Sequence, residues 1–255
     1  VATGKLVYAS ASKGFKGGGW QGAAANAAGA SKAYQPETAW SYEIGAKTRL
    51  LEDTLQVNVA YFFYTYEDLQ LIYFDAGSQL VDNLGEAENQ GIELDARWLI
   101  GEHWDLYAAG AWMDSEITDA ADMIERGVCE DCDGQQMPMA PEWSGAVHLT
   151  WRYPAWCGEV FAKSEYAFQD TMYSDLDNID AIAVDSWDEW SFRIGYDDEK
   201  DWGAAIYVEN AFDEEYFERG WANADTSNQG GYGLTNTLVW PAKPRTFGAS
   251  AYMNF

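Results

Sequence analysis

The chain of 255 residues carries 42 acidic against 15 basic side chains, a net charge of −27, and this excludes nucleic acid as a partner, since phosphate binding needs clustered Lys and Arg. Aromatic residues make up 16% of it and favour strands, while no run of about 18 apolar residues supplies a membrane-crossing helix. The mean hydropathy of −0.37 is that of a soluble chain, with one class excepted: a transmembrane barrel shows only alternate residues to lipid and so reads as soluble.

Val1 opens almost directly onto a strand, KLVYASASK at residues 5–13, so the chain reads as a part of something longer. Residues 38–50 alternate strictly, with Trp40, Tyr42, Ile44, Ala46 and Leu50 against Ser41, Glu43, Gly45, Lys47 and Arg49. That period of two predicts a strand with one apolar face. The turn LEDT leads into LQVNVAYFFYTY, which puts Leu55, Val57, Val59, Tyr61 and Phe63 on one face. QGIELDARWL turns at GEHW into DLYAAGAWM. EWSGAVHLTW turns at YPAWCGE into VFAKSEYAFQ. WSFRIGY turns at DDEKD into WGAAIYVENAF, and residues 245–255 form the last strand.

Ten strands are predicted. Their connections are short near 51–54, 101–104, 154–158 and 197–201, and long at about 14–37, 67–89, 119–140, 170–186 and 213–243. Strict alternation of short turns with long loops is the layout of an outer-membrane barrel. One set of side chains is apolar, with Trp40, Trp98, Trp143, Trp151, Trp190 and Trp202 near strand ends, as aromatic girdles require. The other set carries Glu43, Lys47, Glu93, Asp95, Arg97, Lys163, Glu165 and Arg193 in mid-strand. That face is either a polar lumen or the wet side of a soluble sandwich.

The loops hold the candidate functional residues. Trp20, Tyr34, Trp221 and Tyr232 lie in long loops, where aromatics either line a ligand vestibule or pack loop on loop. Cys129 and Cys132 sit in RGVCEDCDG with no βαβ pattern for redox work and only His103 and His148 as further soft ligands. A loop-stapling disulfide fits better than a redox or zinc site. Cys157 belongs to a short turn on the opposite side. Acidic residues crowd 114–133 and 170–189, but no D-x-D-x-D-G loop marks calcium. They read as solvated loops, with divalent bridging to lipopolysaccharide phosphates as the sharper alternative. GFKGGGW lacks the following helix of a dinucleotide site. No nucleophile–His–carboxylate set is apparent, so neither an enzyme nor a bound cofactor or metal is expected.

Several segments together resemble TonB-dependent outer-membrane receptors: YASASKGFKGGGW, PETAWSYEIGAKTRLLEDTLQVNVAYFFYTYEDLQL, NLGEAENQGIELDARW, YVENAFDEEYF and PRTFGASAYMNF, in that order. The resemblance departs from the family at Ala211, where Leu is usual. It implies an all-β fold, an antiparallel transmembrane β-barrel in which residues 1–255 are the C-terminal portion of a 22-stranded barrel. The plug domain, the TonB box and about a dozen strands would lie elsewhere. It implies capture of a scarce nutrient, most often a ferric siderophore, at extracellular loops. Import would follow with energy from the inner-membrane TonB complex, acting on the plug. The partners implied are outer-membrane lipid, lipopolysaccharide and a small-molecule ligand. Phe255 would be the signal read by the outer-membrane assembly machinery. A passive porin-like channel and a soluble β-rich carbohydrate-binding protein are the competing readings.

Overall fold

The computed structural model describes residues 4–75, 78–198, 200–224 and 234–254. Strand β1 (Lys5–Lys16) leads to the two-residue strand β2 (Gly19–Trp20), one helical turn α1 (Ala27–Ala30), and β3 (Ala33–Tyr34). Next come β4 (Glu37–Leu50), β5 (Leu55–Glu67), the small strands β6 (Gln70–Asp75) and β7 (Ser78–Asn83), and β8 (Glu86–Ile100). After β9 (Trp104–Asp119) a short helix α2 (Ala121–Glu125) precedes β10 (Trp143–Ala155), β11 (Gly158–Gln169) and β12 (Trp187–Asp197). The chain finishes with β13 (Trp202–Glu209), β14 (Phe217–Ala224), β15 (Leu234–Pro241) and β16 (Thr246–Met253).

Ten of these strands form one antiparallel sheet in the order β1-β4-β5-β8-β9-β10-β11-β12-β13-β16. The strands anticipated from period two are these ten, each next to its neighbour in sequence. The structure lengthens most of them at the loop end. Three long connections contain hairpins of their own, β2–β3, β6–β7 and β14–β15, which alternation does not reveal.

Register carries the alternation across the whole sheet. Tyr42 lies opposite Ala11 and Phe63, and Ile92 lies opposite Tyr61 and Trp112. Trp112 faces Trp143, Tyr166 faces Trp190, and Val208 faces both Phe192 and Phe247. These side chains form one continuous apolar face that the chain itself leaves open: Val7 is 74% exposed and Ile206 62%. Aromatic rings band this face at both ends, with Trp112 and Trp143 at the loop end and Trp104 and Trp151 at the turn end. On β9 and β10 the two bands are separated by roughly 26 Å of strand, at about 3.3 Å per residue, the height of an apolar belt in an outer-membrane barrel.

Small residues let rings lie flat on the strands. Gly45 stands opposite Tyr8, Gly91 opposite Phe62, Gly195 opposite Phe161 and Gly248 opposite Tyr207. In each pair the ring sits where a glycine Cβ would be, within 2.2–2.9 Å. Aromatic cover of this kind compensates the missing side chain.

The opposite face is polar and internally paired. Arg97 binds Asp105 through two hydrogen bonds, of 3.0 and 2.6 Å. Asn58 donates to Asp95 at 2.9 Å, Tyr8 donates to Glu43, and Lys163 pairs with Glu165. Arg193 donates to Ser250 at 2.6 Å, bridging β12 and β16.

The buried apolar core lies outside this sheet's central band. It gathers Leu69, Tyr73, Leu80, Leu84, Ile117, Met123, Cys129 and Cys132 at the loop end. The hairpin β6–β7, the top of β9 and helix α2 therefore fold together as a water-soluble cap would, by burying aliphatic surface.

Candidate functional site

The loop end carries most of the chain's irregular structure, and side-chain amides lock it together. Gln21 donates to the Val81 carbonyl at 2.6 Å and accepts from the Val81 N–H at 2.8 Å. Asn83 accepts from the Gln35 N–H and donates to the Gln35 and Asp68 carbonyls. Gln70 donates to the carbonyls of Lys16, Gly17 and Gln35. An amide satisfies a donor and an acceptor of irregular backbone at once, so three residues join the first loop to the β6–β7 hairpin.

The same device joins the later loops. Asn178 accepts from the Gln136 N–H at 3.0 Å and donates to the Gln136 carbonyl at 2.9 Å. The Asp177 carboxylate accepts from the N–H groups of Glu130 and Asp131. Met172 and Val184 bridge through their backbones, and the Ser174 hydroxyl accepts from the Gly220 N–H at 3.0 Å. Asn210, 1% exposed, binds the backbone of Glu214 and the carbonyl of Lys243. Asp213 accepts from the Arg245 N–H and side chain. The asparagine and aspartate of NAFDEEY are thus the fasteners between β13 and β16.

Of the four loop aromatics singled out in the sequence, Trp20 and Tyr34 come together in the β2–β3 hairpin. Gly19 pairs with Tyr34 and Trp20 pairs with Ala33. Trp20 stays 70% exposed. Trp221 lies in β14, paired with Leu238. Tyr232 and Phe255 are outside the described residues. Cys129 and Cys132 are joined by a disulfide within the apolar core, and Cys157 is exposed in its turn. Among the described residues, no cluster of His, Cys, Asp and Glu is arranged to hold a metal ion.

Sequence reasoning missed the amide clamps, because Gln and Asn in a loop look like ordinary solvated residues. It also missed where the carboxylates gather. A cavity of about 410 Å³ opens at the loop end beside β9, lined by Asp114, Glu116, Glu142 and Asp170. A second space of about 490 Å³ runs along the polar face of the sheet over Ala109, Ala111, Ala146 and Ala167, with Glu93 and Asp95 at its edge. Small side chains there leave open space against the wall.

Two ionisable groups in the loops are displaced from their ordinary range. Burial, followed by the charge of Glu189, pushes the Tyr216 phenol up to about 12. Its ring stacks on Trp187 at 4.5 Å and its hydroxyl donates to Glu189 at 3.3 Å. Burial also raises Asp175. Neither is placed with a nucleophile, so these shifts describe packing.

Residues 3–211 match the family model described as TonB dependent receptor-like, beta-barrel. The probable TonB-dependent siderophore receptor PiuA of Acinetobacter baumannii is 25% identical over 74% of this chain and 25% of its own length. The pesticin receptor of Yersinia pestis is 23% identical over 87% of the chain and 31% of its own. The structure of the ferric yersiniabactin uptake receptor FyuA from Yersinia pestis superposes with a TM-score of 0.81 at 20% identity, over 99% of this chain and 35% of that one. The chain thus spans about a quarter to a third of the length of the relatives it matches.

Proposed function

The chain belongs to the TonB-dependent receptor β-barrel family of the bacterial outer membrane, and from that premise we propose that it is the C-terminal part of an active nutrient-uptake receptor. Its apolar face meets lipid and its polar face lines a lumen. The loop end faces the exterior and the turn end the periplasm. A ferric siderophore is captured at the loops and drawn past a plug domain with energy from the TonB complex. Residues 1–255 are one portion of a single barrel domain, whose other strands complete the wall against β1 and β16.

The observation that carries this reading is the family match over residues 3–211, which takes in nine of the ten strands of a sheet with short turns at one end and folded loops at the other. Supporting it, one relative is named a probable TonB-dependent siderophore receptor, another a pesticin receptor, and a structural neighbour a ferric yersiniabactin uptake receptor. Trp20 and the β2–β3 hairpin supply an exposed aromatic at the mouth, and lipopolysaccharide surrounds the loop end.

Receptor-dependent uptake tests the proposal. Cells carrying the full receptor gain growth on a particular ferric siderophore, and removal of TonB or collapse of the proton gradient abolishes that gain. Uptake that persists without TonB would instead establish a passive channel.

A further inference from the structure

The apolar face of the sheet carries a furrow in its turn-end half. There the outward residues of β11 are Ala162 and Ser164, and register sets large side chains on both sides of them. Trp151 and Leu149 of β10 stand opposite Ala162 and Ser164 on one side, and Ile194 and Phe192 of β12 on the other. Small side chains between two rows of large ones leave a channel with β11 as its floor. That channel is part of a depression of about 870 Å³ that runs on across β13 to Phe247 of β16. Its size falls toward the upper end of the roughly 300–1,000 Å³ typical of small-molecule sites.

Position, width and charge choose the occupant. The outward side chains that line the furrow are aliphatic and aromatic apart from the Ser164 hydroxyl, and they belong to the continuous face that an outer-membrane barrel turns to lipid. Ile194 is 51% exposed and Phe247 74%, so neighbouring side chains do not fill the space. The walls on β10 and β12 are two strand spacings apart, roughly 9.5 Å. Between protruding side chains that leaves the width of a single hydrocarbon chain. The broad sheet of a second barrel would bridge the walls and lose its contacts along the floor, whereas a flexible acyl chain reaches it. The Trp104–Trp151 ring pair lies at the turn end of the furrow, where indoles mark the boundary with the headgroups. Beyond that boundary lies the β12–β13 turn, DDEKD, in which acidic residues outnumber Lys200. The Asp198 carboxylate is fixed there by the N–H groups of Lys200, Asp201 and Trp202. Carboxylates at this level attract an ammonium headgroup and repel an anionic one.

We propose that this furrow is a lipid site, which holds an acyl chain of one phosphatidylethanolamine molecule with its ammonium toward the β12–β13 turn. The site needs only the membrane placement of the family. Its assignment to the periplasmic leaflet rests on the uptake reading, which turns the short-turn end to the periplasm.

Native mass spectrometry of the purified, delipidated full receptor in detergent tests the site. One phosphatidylethanolamine binds saturably, about tenfold or more tighter than phosphatidylglycerol with the same acyl chains. The furrow-filling variant Ala162→Phe, Ser164→Leu lowers that affinity about tenfold or more, because the added side chains take the place of the acyl chain. Ala46→Phe adds similar bulk to the outward face of β4, where Ala46 pairs with Val59, and binds like the wild type. Unchanged affinity in the filled variant overturns the proposal, as does phosphatidylglycerol bound as tightly as phosphatidylethanolamine. A wild-type dimer that the filled variant disperses also overturns it, since a second copy then occupies the face. Should the filled variant not assemble, one equivalent of phosphatidylethanolamine with brominated acyl chains is added to the wild-type receptor. Quenching of tryptophan emission that shrinks in Trp151→Phe supports the site, and quenching unaltered in that variant overturns it. Lipid binding without receptor-dependent uptake counts against the uptake reading alone; uptake by a receptor that binds no such lipid counts against the site alone.

Discussion

Asp175 and Asp198 carry opposite electrostatic signatures, and each predicts a pH dependence. Burial holds the Asp175 carboxyl above its ordinary range, although the Ile179 N–H donates to it at 3.0 Å. Below the unfolded carboxylate pKa both states are protonated and nothing is lost. As pH rises through the raised folded value, the buried charge costs stability, so the 170–186 loop is firmest on the acid side. Asp175→Asn keeps the acceptor without the charge. It should slow exchange of the Ile179 amide at pH 7, with little change near pH 4, measured by hydrogen exchange corrected for intrinsic rates. Asp198 is the reverse case. Three backbone N–H groups, of Trp202, Lys200 and Asp201, hold its carboxyl below the ordinary range. Its contribution is present above the unfolded pKa and is lost as pH falls through the lowered folded one. Asp198→Ala should therefore speed exchange at those three amides at neutral pH, and the difference should fade in strong acid.

Strands in this wall depend on pairs rather than on single residues. A Cβ at Gly91 would meet the Trp112 carbonyl oxygen at 2.4 Å and the Phe62 ring at 2.6 Å. Gly91→Val should cost about 1–3 kcal/mol, the usual range for overpacking, and lower the thermal midpoint of the purified receptor. Gly101→Ala, in open space though at positive φ, should cost less. The turn between β4 and β5 offers a change of opposite sign. Leu51, Glu52 and Asp53 all hold positive φ, of 52°, 57° and 67°, where a side chain costs about 1–2 kcal/mol. Leu51→Gly should raise that midpoint. The wall strands were legible because lipid imposes period two on them and each side chain declares its face. Their upper ends were not: alternation in β9 stops near Trp112, while backbone pairing with β8 continues to Asp119. The β6–β7 hairpin was hidden because Leu69, Tyr73 and Leu80 are buried by tertiary contact with Ile117 and Met123, which no local pattern encodes. The Cys129–Cys132 spacing was readable by itself. The acidic cavity was not, since it forms only when separate stretches of chain fold together.

For the whole molecule, the decisive fact is that among the described residues the sheet pairs β1 only with β4 and β16 only with β13. Lipid tolerates no open strand edge, so on the proposed reading these edges are where other strands of the barrel would join. The role proposed for Phe255 belongs to this scale too. Deleting Phe255 should lower the amount of receptor in the membrane while leaving ligand affinity per inserted molecule unchanged, read by immunoblot against binding; loss of affinity with normal amounts would refute that role. The aliphatic core, the disulfide and the amide clamps all lie at the mouth, while the wall keeps its apolar face for lipid. The receptor is thus two materials joined end to end. One coheres because water expels it; the other coheres through backbone hydrogen bonds in a solvent as oily as itself. The first can be altered without touching what holds the second, so on the proposed reading the mouth can be recut for another ligand while the wall beneath it stays intact.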